Sequence, residues 1–151
     1  MKVGDVCTRG VRVVVPNLAL ATAAREMSQH HIGALLVVEP GAVKRRPIGI
    51  LTDRDILIGQ LARSADLFCL TVGDVMTRNP LVVHTDMSVQ GAIQALNAQS
   101  VRRAPVLDRD GALIGIVTLD DLLPVICNEL AAIGSLVGTQ ARYEADAVSF
   151  A

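Results

Sequence analysis

Tryptophan is absent from this sequence, and the aromatic share is 2%, carried by Phe68, Tyr143 and Phe150. Stacking platforms of the kind that hold single-stranded nucleic acid are therefore missing. The core must be packed by Val, Leu, Ile and Ala, which dominate the 51% apolar content. No uninterrupted apolar run approaches the ~18–20 residues needed to cross a bilayer; "VRVVVPNLALA" is broken by Arg12, Pro16 and Asn17. The opening "MKVGDVCTRG" has no apolar signal-peptide region. A soluble, cytoplasmic chain with no membrane partner is expected. Charge of one sign is lacking too: the net charge of −1 gives no general attraction to nucleic acid or to an anionic surface. Cysteine is sparse and odd in number, with Cys7, Cys69 and Cys127 forming no C-x-x-C; reduced thiols are expected. His30, His31 and His84 give no zinc-type spacing, so no metal site is expected.

What is present is an internal repeat. "VGDVCTRG" (Val3 to Gly10) returns as "VGDVMTRN" (Val72 to Asn79), 69 residues later. Val13-Val14 then matches Val82-Val83, Ala23 matches Ala92 and Val37 matches Val106. The spacing afterwards falls to 66, with Gly49 matching Gly115. The first copy thus carries three extra residues within "EPGAVKRRP", opposite "DRDGAL", where a turn tolerates added length. The copies run over residues 1–69 and 70–133, followed by a tail at 134–151.

Each copy reads alike. A short β-branched run is followed by a helical pattern: Leu20, Ala23, Ala24 and Met27 in one copy, Val89, Ala92, Ile93 and Leu96 in the other. Two apolar strands follow, "ALLVVE" and "PIGILT", then "APVL" and "LIGIVT", with turns at Glu39-Pro40-Gly41 and Asp108 to Gly111. A second helix opens at Thr52 or Thr118. The expected class is mixed α/β (α+β), built from two β-α-β-β-α units packed face to face. Lys44-Arg45-Arg46 reads as a solvated hairpin tip. Pro124, past the first turn of the closing helix, removes a helical hydrogen bond there. After Ile133 clear periodicity is lost, and the tail is either a frayed end or a dimer contact.

The closing helices open on "TDRD" and "TLDD". Thr52 with Asp55, and Thr118 with Asp121, have the spacing of a capping box, and a carboxylate there suits the helix dipole. Both copies use Asp where the longer Glu reaches the cap more comfortably. Both also place glycine three residues before the threonine, at Gly49 and Gly115, where a flat ligand could approach the backbone. A carboxylate at such a position can accept both hydroxyl protons of a ribose diol. Spacing alone leaves cap and ligand roles both open.

The doubled order of "VGDVMT", "RRAPVLDRDGALIGIVT" and "TLDDLL" resembles a pair of cystathionine-β-synthase (CBS) domains, also called a Bateman module. The likeness covers Val3 to Ile133. It implies two units about a pseudo-twofold axis, with clefts that bind AMP, ADP, ATP or S-adenosylmethionine as regulatory ligands. By that resemblance Asp55 with Thr52 marks one cleft and Asp121 with Thr118 the other, each Asp gripping the ribose. Thr8, Val13, Ile32, Gly33 and Ala34 from the first copy, and Thr77, Pro80, Val82 and Val101 from the second, would line base and phosphate, with Ile50 and Ile116. It also implies a homodimer formed through the closing helices.

The copies differ in charge. Arg102-Arg103 stand where the first copy has Gly33-Ala34, and Arg54 stands where the second has Asp120. A guanidinium can hold phosphate oxygens bidentately, so Arg103, Arg54 and Arg102 are the phosphate candidates, and two unequal sites or one usable site is expected. No G-x-x-x-x-G-K-[ST], G-x-S-x-G or H-E-x-x-H occurs. Asp53/Asp55 and Asp120/Asp121 are the only candidates for Mg²⁺ beside a nucleotide. The expectation is a non-enzymatic sensor acting on an unidentified partner protein. A ligand-free dimerisation or interaction scaffold is the alternative.

Overall fold

The computed structural model describes residues 1–41, 46–63, 66 and 68–149, with side chains up to residue 137 except at residue 63. Lys44 and Arg45 of the expected hairpin tip, and most of the three-residue insertion, lie outside the described residues.

The first copy forms α1 (Val3–Val6), β1 (Thr8–Arg9), β2 (Val13–Val14), α2 (Leu20–His30), β3 (Ala34–Val38), β4 (Pro47–Thr52) and α3 (Asp53–Arg63). The second repeats the series as α4 (Val72–Val75), β5 (Thr77–Arg78), β6 (Val83–His84), α5 (Val89–Ala98), β7 (Arg103–Leu107), β8 (Leu113–Thr118) and α6 (Leu119–Ser149). The apolar periodicity names the buried faces: Leu20, Ala23 and Met27 on α2, and Val89, Ala92 and Leu96 on α5, are buried. β3 and β7 run as near-continuous apolar strands because helices cover one face and the other repeat lies nearby. The hairpin turns sit where glycine permits a positive φ, +75° at Gly41 and +76° at Gly111.

Two four-stranded sheets result, ordered β2-β3-β4-β5 and β1-β8-β7-β6. Each sheet takes one of its two edge strands from the other copy. β1 pairs antiparallel with β8 (Thr8 opposite Ile116, Arg9 opposite Gly115), and β5 pairs with β4 (Thr77 opposite Ile50, Arg78 opposite Gly49). Backbone bonds hold the exchange: Gly4 N–H donates to Thr85 O and Gly73 N–H to Pro16 O, at 2.9 and 2.8 Å. The cores follow. Val3 is buried among Val83, Leu96, Val106 and Leu122 of the second copy, and Leu70, Val72 and Met76 among Leu20, Leu35 and Leu51 of the first. The lead segment of each sequence copy thus completes the other copy's sheet.

The tail continues the closing helix. α6 is one helix of 31 residues that continues through Pro124 and past Ile133 to Ser149. Pro124 removes one backbone bond without ending it. Gly134 and Gly138 each cost about 1 kcal/mol relative to alanine, too little to stop a helix that meets no proline after Pro124.

Candidate functional site

Strand β8 ends at Thr118 and hands the chain directly to α6. There the Thr118 N–H and its hydroxyl both donate to Asp121 Oδ2, at 2.8 and 2.9 Å. Asp121 N–H returns a bond to Thr118 Oγ1 at 3.4 Å. The first copy does the same: Thr52 N–H and Oγ1–H donate to Asp55 Oδ2 at 2.8 and 2.7 Å, and Asp55 N–H donates to Thr52 Oγ1 at 3.2 Å. Both pairs are reciprocal caps. In each carboxylate Oδ2 alone serves the cap, so that Oδ1 can take another partner.

The exchanged β1 strand makes the two carboxylates unequal. Pairing with β8 sets Thr8 beside Asp121, and Thr8 Oγ1–H donates to Asp121 Oδ1 at 3.3 Å. Thr77 makes no matching bond to Asp55 among the described residues. Against this corner lies a cavity of about 350 Å³, within the range of roughly 300–1,000 Å³ common for small-molecule sites. It is lined by Thr8, Arg9, Gly10, Val11 and Arg12 of the β1–β2 segment, by His30, Ile32, Gly33, Ala34 and Leu36 from the end of α2 into β3, and by Arg103, Ile116 and Thr118 of β7 and β8. The apolar walls suit a flat ring, and three guanidinium groups suit an anionic ligand.

Of the expected ribose, base and phosphate residues, Thr8, Ile32, Gly33, Ala34, Ile116, Thr118 and Arg103 line this one cavity, and Asp121 lies behind Thr8 and Thr118 rather than in its lining. Arg103 opens β7 directly opposite Thr118 and reaches across toward Gly33, where an added Cβ would lie 3.8 Å from its Nη1 and 3.4 Å from Asp53 Oδ2. Arg103 has no ion-pair partner among the described residues. Val13 lies elsewhere, paired with Leu36 and facing an adjoining groove with Val14 and Leu18.

The remaining expected residues are less closely assembled. Ile50 is buried and pairs with Thr77, Pro80 is half-buried, and Val101 and Arg102 are exposed. Val82 lines a groove near the hairpin tips with Asn79 and Arg109. Arg54 is exposed, its N–H bonded to Asp53 Oδ1 at 2.8 Å. Neither Arg54 nor Arg102 lines the Thr8–Thr118 cavity.

Sequence reasoning did not single out His30, Leu36 or the ion pair behind the cavity. Arg12 Nη1 donates to Glu26 Oε2 at 3.0 Å, and His30 Nε2 lies 3.7 Å from that same oxygen. The signal was available in the repeat: the matching positions of the second copy hold Leu81, Ala95 and Gln99.

Cys7 follows α1 beside this corner. Burial pushes its thiol up from the ordinary 9.0, outweighing the lowering effect of Arg9, and Asp121 adds to the rise. The folded protein therefore favours the thiol, and the stability this lends is present below about pH 9 and lost as pH rises through the raised value. With Cys69 and Cys127 exposed, iodoacetamide at pH 8 is expected to label those two well before Cys7, as read by peptide mass mapping. Cys7 reacting first would contradict the burial.

The CBS domain family model matches residues 3–60 and 72–128. The chain is 38% identical over 120 residues to the CBS domain-containing protein YhcV of Bacillus subtilis, covering 80% of this chain and 81% of that protein. It is 34% identical over 125 residues to the uncharacterized protein MK0525 of Methanopyrus kandleri, where the match covers 83% of this chain and 62% of that protein. Among solved structures it superposes on CBSX2 in complex with AMP with a TM-score of 0.70, at 28% identity, covering 84% of this chain and 96% of that one. The CBS domain pair of MJ0100, in complex with 5′-methylthioadenosine and S-adenosyl-L-methionine, gives 0.73 at 25% identity, covering 85% and 98%. Repeated sequence, exchanged sheets and two family matches agree: the chain belongs to the CBS-domain family and carries a tandem CBS pair.

Proposed function

We propose that the chain is a regulatory module without chemistry of its own, which binds an adenosine-containing ligand in the Thr8–Thr118 cavity. The observation that carries this is the corner where Thr8 and Thr118, both bonded to Asp121, line an apolar-walled cavity with Arg103 opposite Thr118. Asp121 Oδ1 would accept from the ribose hydroxyls, with Thr8 yielding its long bond, and Arg103 would meet a phosphate. CBSX2 with AMP and MJ0100 with S-adenosylmethionine support the ligand class. The Asp55 cleft, with Arg102 where the other has Gly33, is the weaker site.

Output would pass to a partner protein or through a homodimer. Exposed apolar residues support such contacts: Leu57 and Leu61 on α3, and Leu123, Leu130 and Ile133 on α6. The same surface favours the second reading, an interaction scaffold whose clefts carry no ligand.

Calorimetric titration with adenosine, AMP, ADP, ATP and S-adenosylmethionine separates the two. The module reading expects binding near one ligand per chain, with ligand at ~100 times its dissociation constant adding about 2.7 kcal/mol of stability. Silence across the series, together with a concentration-dependent oligomer, would leave only the scaffold.

A further inference from the structure

The cavity carries charge at two ends, and the reading above uses one of them. Arg103 and Thr118 lie opposite one another at the first; Arg12 and His30 line the second. Strand β3 shows how these ends are separated. Ala34 and Leu36 both line the cavity, two residues or about 7 Å apart along the strand. Ala34 adjoins Gly33 and thus the Arg103 end, whereas Leu36 N–H donates to Arg12 O at 3.3 Å. A ligand with its ribose on Asp121 and its phosphate toward Arg103 would run its base along β3 toward Leu36, and turn the base edge to Arg12.

Arg12 is held in place. Its Nη1 donates to Glu26 Oε2 at 3.0 Å, with His30 one helical turn further along α2. Glu26 lines the adjoining groove rather than the cavity. Arg12 lines both the groove and the cavity, and its one bond to Glu26 leaves the other guanidinium N–H groups for a ligand. In the other copy Leu81, Ala95 and Gln99 replace all three residues, so the device belongs to one cleft.

We infer that Arg12, positioned by Glu26, reads the edge of the base and extends the ligand range of this cleft to 6-oxopurine nucleotides. The inference rests on the nucleotide-binding reading above. A guanidinium offers donors only. Guanine or hypoxanthine presents two adjacent acceptors, O6 and N7, where adenine presents N7 beside an amino donor. Leucine at this position, as in the second copy, would be indifferent to the distinction.

The test titrates adenosine, AMP, ATP and GMP into the full chain and into Arg12→Leu, Glu26→Leu and Glu26→Gln. The wild-type chain is expected to bind GMP within about tenfold of AMP. Arg12→Leu should weaken GMP by at least about tenfold, the value of one charge-assisted hydrogen bond, and change adenosine, AMP and ATP by one common small factor. Glu26→Leu should lower the GMP-to-AMP ratio as Arg12→Leu does. Glu26→Gln should restore it, because the amide oxygen still accepts from Arg12. All are partly or fully exposed positions, and melting curves should match wild type. A loss in Arg12→Leu that grows with the number of phosphates would place Arg12 at the phosphate end and overturn the inference. So would an unchanged GMP-to-AMP ratio while AMP still binds. If none of the four ligands binds the wild-type chain, the nucleotide reading itself falls, and the inference with it.

Discussion

Asp121→Ala is expected to raise the dissociation constant for AMP at least a hundredfold, while Asp55→Ala leaves the high-affinity binding nearly unchanged. The two variants should nevertheless melt alike. Each removes a carboxylate that accepts two bonds from its capping threonine, a loss of about 1 kcal/mol. That corresponds to roughly 2–4 °C in a domain of this size. The hundredfold comes from the ligand: two charge-assisted hydrogen bonds to a ribose contribute ~1.5–3 kcal/mol each. What distinguishes the aspartates is placement, since Asp121 bonds Thr8 and Thr118, which both line the Arg103 cavity. Calorimetry and melting on the same samples therefore separate cap from ligand group. Loss of binding in Asp55→Ala alone would reverse the assignment of clefts. Earlier melting in both, with AMP binding intact in both, would reduce the aspartates to caps.

The legible and illegible parts of this molecule divide by the range over which the physics acts. The caps were legible because Thr and Asp three residues apart determine their own geometry. So were the buried faces of α2 and α5, whose apolar spacing repeats every turn. Arg103 was found by comparing copies, since a guanidinium opposite an alanine marks an asymmetry that periodicity alone does not show. The exchange of β1 and β5 was not legible. Each is a two-residue strand whose partner lies far along the chain, and nothing local in "TR" says which sheet it joins. The Arg12–Glu26 pair escaped for a related reason: its members sit on a loop and a helix, 14 residues apart. The length of α6 escaped because 134–149 lost the apolar rhythm by which a packed helix is recognised.

The exchange also makes two equivalent glycines unequal, and the second large effect follows from them. Gly115→Ala is expected to destabilise the chain by about 2–3 kcal/mol, at the upper part of the range for overpacking, and to abolish AMP binding. Gly49→Ala should cost less than half as much and leave binding intact. A Cβ on Gly115 would collide with the Thr8 carbonyl and lie 3.0 Å from its carbon. Both are backbone atoms of β1, which pairs at this point with β8. Backbone in a strand has no rotamer by which to yield, so β1 itself must shift, carrying Thr8 away from Asp121 and opening the cavity wall. At Gly49 the nearest atom is Met76 Sδ at 2.6 Å, with Thr77 O at 3.2 Å. A methionine sulfur can swing aside at little cost. Chemical denaturation gives the stability difference, and titration with AMP gives the site. Equal destabilisation by the two variants would mean that β1 yields as readily as a side chain. AMP binding that survives in Gly115→Ala would mean that the wall formed by Thr8 is dispensable, leaving the ligand to be held by Asp121 and Arg103 without the exchanged strand.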